Sequence, residues 1–158
     1  MRGGTYNNIG AHVGTQCTFP GDLDARVDFT LFEWPAANNV LAGINAYYAD
    51  GFIGRQSSSA SGGALCELGC GTQQLGATQR GGGSLRIARV GTTMTTYFWR
   101  NGRWVPLASG ISSGAAVIGL EATASSDFGH QVTRVAFDNF AVTATKVFCP
   151  AGSYPPGA

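Results

Sequence analysis

The sequence is short of charge, of lysine and of long apolar runs. Charged residues fill 12% of its 158 positions, about half the usual share of roughly 25%. Ten basic residues against nine acidic ones leave a net charge of +1, so no field is available to gather nucleic acid or an anionic membrane. Lys146 stands alone beside nine arginines, a bias that reads mainly as genome composition. No apolar stretch approaches the roughly 20 residues that span a bilayer. The start carries no signal-peptide pattern, as expected of a mature chain.

Glycine, by contrast, is abundant: 24 residues, about twice its ordinary frequency of roughly 7%. A helical bundle suffers from such a content, since each interior glycine costs about 1 kcal/mol against alanine. Yet 44% of the chain is apolar and 11% aromatic, enough to bury a core and exclude disorder. The length fits one domain, read as residues 1–149 followed by a Pro/Gly-rich tail over 150–158.

Between residues 22 and 145 the chain alternates short apolar–polar runs with Gly, Asn or Ser clusters, the pattern of an antiparallel β-sandwich or barrel. Leu23, Ala25, Val27, Phe29 and Leu31 share one parity, and Asp22, Asp24, Arg26, Asp28 and Thr30 the other, so this strand has one buried and one wet face. Asp50-Gly51 signals a hairpin between runs 40–48 and 52–55. Residues 57–83 are poor in large apolar side chains and read as loops and short edge strands. Runs 84–90, 94–100 and 104–107, joined at Gly91 and Asn101-Gly102, form a three-strand meander. Runs 116–124 and 132–145 supply the last two strands. In the final run Val135 and Phe137 have one parity while Phe140 and Val142 have the other. A β-bulge at Asp138-Asn139 restores the inward face and pushes the Asp138 carboxylate outward.

Cys17, Cys66, Cys70 and Cys149 allow three pairings. The CxxxC spacing of Cys66 and Cys70, with no nearby histidine, argues against zinc and for two disulfides in an oxidising compartment. Cys66 and Cys70 can close a tight loop, which leaves Cys17 for Cys149 if the chain ends are neighbours.

The run from Phe19 to Phe29, then Gly83 to Gly91, Met94 to Tyr97, Asn101-Gly102-Arg103-Trp104 and Phe137-Asp138-Asn139-Phe140 resembles the concanavalin A-like lectin/glucanase jelly roll. More narrowly, it is similar to laminin-G-like or DUF1349-type extracellular domains of bacteria. The resemblance implies two antiparallel sheets packed face to face, with adjacent terminal strands, consistent with a Cys17–Cys149 bridge. It also implies a calcium ion near the end of the last strand, with Asp138 as the metal ligand beside carbonyls of the bulge.

This architecture hosts lectins, glycanases, lyases and adhesion modules, so function must come from the site. Glycoside hydrolysis needs two carboxylates across a cleft, and no ExDxxE-type strand motif is present. Glu33 ends a strand, Glu67 lies between cysteines, and Glu121 has no acidic partner at i+2 or i+4. Asp22, Asp24 and Asp28 share a face as polar residues on any wet face do. A lyase wants a Tyr with His or Arg; His12 and His130 show no supporting spacing. Sugar recognition needs stacking rings and hydroxyl-fixing polar groups. The candidate ligand-binding residues are Trp34, Tyr47, Tyr97 and Trp99, with Arg89; Trp104 and Phe98 are expected in the core. The sequence therefore reads first as a secreted, non-catalytic module for a polysaccharide or glycan. A polysaccharide hydrolase or lyase is the alternative, and a structural adhesion or filament subunit the third reading.

Overall fold

A computed structural model describes residues 8–34, 40–49, 51–57, 64–67, 81–112, 114–125 and 132–152. These residues form strands and no helix. In chain order the strands are β1 (Asn8–Gly14), β2 (Leu23–Glu33), β3 (Val40–Tyr47), β4 (Gly51–Ser57), β5 (Ala64–Glu67), β6 (Gly82–Val90), β7 (Thr93–Arg100), β8 (Arg103–Ile111), β9 (Val117–Ser125) and β10 (Arg134–Ala144). They make two five-stranded sheets, β1-β9-β3-β4-β5 and β10-β2-β6-β7-β8. Every neighbouring pair is antiparallel.

The alternation of β2 decides which way it faces. Leu23, Ala25, Val27, Phe29 and Leu31 are buried, while Arg26 and Thr30 are exposed. With Leu85, Ile87, Met94 and Phe98 they form one side of the core, against Ile44, Ile53, Ile118 and Leu120 of the first sheet. Each such side chain contributes about 1.5–3 kcal/mol of burial free energy. The meander β6-β7-β8 turns at Gly91 (φ 59°) and at Asn101-Gly102 (φ 52° and 76°). Two consecutive positive φ values are what a type I′ turn requires, which explains the Asn-Gly pair. The stretch 57–83 supplies the short edge strand β5. The edge strand β1, glycine-rich and without strict alternation, has no sequence signal; it forms by pairing with β9 along its whole length.

The chain ends meet as expected. Thr18 bridges Phe148 and a disulfide joins Cys17 to Cys149. Cys66 lies on β5, and its expected partner Cys70 lies outside the described residues. The β10 bulge is also present. Asp138 pairs with Asp28 and Ala141 with Arg26, so one extra residue is accommodated, and Asn139 adopts φ 52°. Phe137 packs on the core before the bulge and Val142 after it, but Phe140 is turned out, 39% exposed.

Arg89 departs from expectation. It is 1% exposed, because β6 points it inward between Leu85, Ile87 and the loops that enter β2 and β9. Its Nε donates to the Gly21 carbonyl at 2.9 Å, Nη2 to Phe19 at 2.6 Å, and Nη1 to Gly114. Burial lowers its pKa, against the opposing charge of Asp22. The guanidinium is a clamp on two loops and leaves no face for a ligand, which removes Arg89 from the binding candidates.

Candidate functional site

The outer face of the first sheet gathers a polar cluster from three strands. In register, His12 of β1 lies opposite Glu121 of β9, and Glu121 lies opposite Gly43 of β3, which faces Gly54 of β4. Residues paired this way project on the same side of a sheet. Asn45 and Tyr47 share the face of Gly43 by alternation. Tyr47 donates its hydroxyl to Glu121 Oε2 at 2.6 Å, and Asn45 Nδ2 donates to the same oxygen at 3.2 Å.

Glycine makes this geometry possible. A Cβ on Gly119 would stand 2.8 Å from Cε2 of the Tyr47 ring. The ring therefore lies over the Gly119 backbone and its hydroxyl reaches the next outward residue, Glu121. A Cβ on Gly43 would meet the Ile53 carbonyl and the Gly54 Cα at 2.3 and 2.5 Å, so backbone alone flanks the carboxylate on that side. Close approach of this kind is a common reason for glycine inside a strand. Asn45, Tyr47 and Glu121 are half-buried and His12 is exposed. Burial, and then the Glu121 carboxylate, push the Tyr47 hydroxyl well above its ordinary pKa. The phenol stays protonated and donates. Among the described residues Glu121 Oε1 accepts no hydrogen bond, and no second carboxylate shares this face.

The expected aromatic residues are divided between surfaces. Tyr47 belongs to the cluster just described. Tyr97 and Trp99 lie on the outer face of the other sheet, Trp99 42% exposed. Trp104 joins them there rather than entering the core, because it pairs with Trp99 across the hairpin; their rings meet edge to face, centroids 5.1 Å apart at 72°. Phe98 is in the core as expected. Trp34 packs half-buried against the core, its indole N–H buried without a partner among the described residues.

The aspartates before and along β2 are already engaged. Burial raises the Asp24 pKa, but hydrogen bonds from Arg26 and Arg86 outweigh it and hold the carboxyl below its usual range. Asp22 accepts the Gly91 N–H at 2.7 Å, and Asp28 accepts Asn139 Nδ2 at 2.7 Å. Asp22 and Asp24 line an open depression of about 330 Å³ over β2, β6 and β10. Asp138 Oδ1 accepts the N–H of Asn139 at 2.8 Å and so caps the bulge. Among the described residues no group of three or more His, Cys, Asp or Glu side chains that could hold a metal ion gathers there or elsewhere.

No protein-family model matches the sequence, and no curated protein matches it. Solved structures do. A functionally unknown protein from Saccharomyces cerevisiae aligns with TM-score 0.59 and 13% identity, over 87% of this chain and 74% of that one. A mutant of the GH43 protein BlXynB from Bacillus licheniformis aligns with TM-score 0.54 and 15% identity, over 78% of this chain and 27% of that one. The exoplasmic/lumenal domain of VIP36 in its Ca2+/Man3GlcNAc-bound form aligns with TM-score 0.52 and 9% identity, over 98% and 80%. The fold is an antiparallel two-sheet β-sandwich. At these identities the likeness concerns the fold alone.

Against that jelly roll, sequence reading missed Asn45, His12 and above all Glu121. Glu121 was set aside for lacking an acidic partner along its own strand, whereas its partners come from β3, 74 and 76 residues away. The signal available was indirect: Gly43, Gly54 and Gly119 interrupt strands that otherwise favour side chains with a Cβ.

Proposed function

We propose that the chain is a secreted, non-catalytic carbohydrate-binding module that takes a neutral saccharide on the outer face of the β1-β9-β3-β4-β5 sheet. The observation that carries this reading is the Glu121 carboxylate, fixed by Tyr47 and Asn45 and flanked by bare glycine backbone. Hydroxyl pairs of a sugar donate well to a pre-oriented carboxylate, and Asn45 and His12 stand beside it to complete the set. A uronate or sulfate would meet Glu121 with like charge in a half-buried setting, which is costly. The Cys17–Cys149 disulfide suits an oxidising compartment, and the narrower likeness to laminin-G-like or DUF1349-type extracellular domains agrees with it. Structural neighbours that include a GH43 protein and a Man3GlcNAc-bound lumenal domain support the class of ligand.

A polysaccharide-degrading enzyme remains the alternative, favoured by His12 and Glu121 lying opposite each other on one face, since both side chains can move protons. Affinity gel electrophoresis in soluble xylan, mannan or mixed-linkage β-glucan, with the mobile products assayed, separates the two. Retardation without new reducing ends or unsaturated products is expected; product formation would establish the enzyme. Glu121→Gln should weaken binding roughly tenfold to a hundredfold, the range for a charged hydrogen-bond partner. Unchanged retardation in that variant would move the site elsewhere.

A further inference from the structure

The outer face of the second sheet carries an aromatic assembly that the polar cluster does not use. Arg86 of β6 is bound to Asp24, its Nε 3.0 Å from Oδ2. Its guanidinium lies 4.8 Å from the centre of the Tyr97 ring and 5.9 Å from that of Trp104. Trp104 in turn abuts Trp99 edge to face. Asp24, Arg86, Trp104 and Trp99 thus form a continuous chain of contacts across β2, β6, β8 and β7.

Two features set this apart from ordinary core packing. Trp99 is the most open tryptophan described, with 42% of its surface exposed, yet its orientation is fixed by Trp104, and Trp104 by the cation held against Asp24. A rigid ring presenting one face to water loses little entropy on stacking. The charge is also largely spoken for, because the Asp24 carboxylate is shared by Arg86 and Arg26, leaving one net positive charge. A preformed aromatic surface with a guanidinium at its rim matches the chemistry of a sugar ring, whose C–H face stacks and whose hydroxyls accept from arginine.

We infer that Trp99, Trp104, Tyr97 and Arg86 form a second saccharide-stacking surface, on the sheet opposite the Glu121 cluster, so that one copy of the chain grips two glycan strands. The inference rests on the carbohydrate-binding reading but on different residues, and the two can fail separately. No tryptophan lies on the Glu121 face among the described residues and Trp34 packs against the core, so an emission change that is lost in the Trp99 variants reports the second surface.

The test uses the full chain with soluble xylan, mannan and mixed-linkage β-glucan. The wild-type protein should give polysaccharide-induced turbidity and a change in tryptophan emission. Glu121→Gln should lose the turbidity but keep the emission change. Trp99→Ala should lose both while keeping retardation in the gel, and Trp99→Phe, which preserves an aromatic ring should the alanine variant fold poorly, should retain partial turbidity. Retardation of the wild type with no emission change, or turbidity surviving in Trp99→Phe and Trp99→Ala at full strength, would overturn the second surface and leave the first intact. Emission change abolished in Glu121→Gln would likewise overturn it. Absence of retardation with all three polysaccharides would overturn both readings.

Discussion

At the scale of single residues, the chemistry depends on which polar groups are spoken for. Arg89 and Glu121 make the contrast. Both sit on regular strands, but Arg89 has the inward parity and spends its donors on carbonyls of the fold, while Glu121 has the outward parity and is merely oriented. Tyr47 does the orienting, and its raised pKa gives a pH signature. A phenol whose folded pKa lies above the unfolded value of about 10 contributes stability that is complete below that pH and is lost as pH rises above it. The expected outcome is a fall in urea midpoint beginning near pH 10, with a shallower fall in Tyr47→Phe. Equal slopes for the two proteins would show that Tyr47 does not carry the effect. The sequence named Tyr47 as a ring for stacking; the structure uses its hydroxyl.

At the scale of elements, the β10 bulge shows how much a parity argument can deliver. Val135 and Phe137 cannot face the same core as Val142 without one extra residue between them, so the bulge and its place were legible. Its backbone was not, because parity says nothing about φ. Asn139 sits at φ 52°, a region that asparagine and glycine tolerate and β-branched residues do not. Asn139→Gly and Asn139→Val both lose the bond to Asp28, so their difference isolates the backbone. The valine variant should be less stable than the glycine one by about 1–3 kcal/mol, seen as a lower urea midpoint at equal m-value. Equal midpoints would mean that the strand has shifted register instead. The Asn101-Gly102 hairpin was legible for the same local reason, whereas β1 was not, since its seven residues gain their order from β9.

At the scale of the whole molecule, the Cys17–Cys149 bridge closes a loop with a sequence separation of 132. Chain-entropy reasoning gives such a closure about 5 kcal/mol at most, or roughly 10–20 °C in Tm for a domain of this size. Cys17→Ser with Cys149→Ser should lower Tm within or below that range. The Glu121 cluster is held by the pairing of β1, β9 and β3 and by its own hydrogen bonds, so the folded variant should retain glycan retardation at temperatures below its melting point. Loss of binding at a temperature where circular dichroism still reports a native sandwich would contradict this separation.

The sequence by itself determined the two-faced strands, the tight turns, the bulge and the absence of a charge field, because each follows from residues within a few positions of one another. The tertiary structure alone decided the pairing of outward residues. His12, Asn45, Tyr47 and Glu121 come together only because β1, β9 and β3 are neighbours in space, and Trp104, which holds Trp99, meets the Arg86 guanidinium only because β6, β7 and β8 share a sheet. Likewise the inward turn of Arg89 has meaning only where the Phe19, Gly21 and Gly114 carbonyls converge. Those contacts join residues far apart in the chain, and no local spacing encodes them.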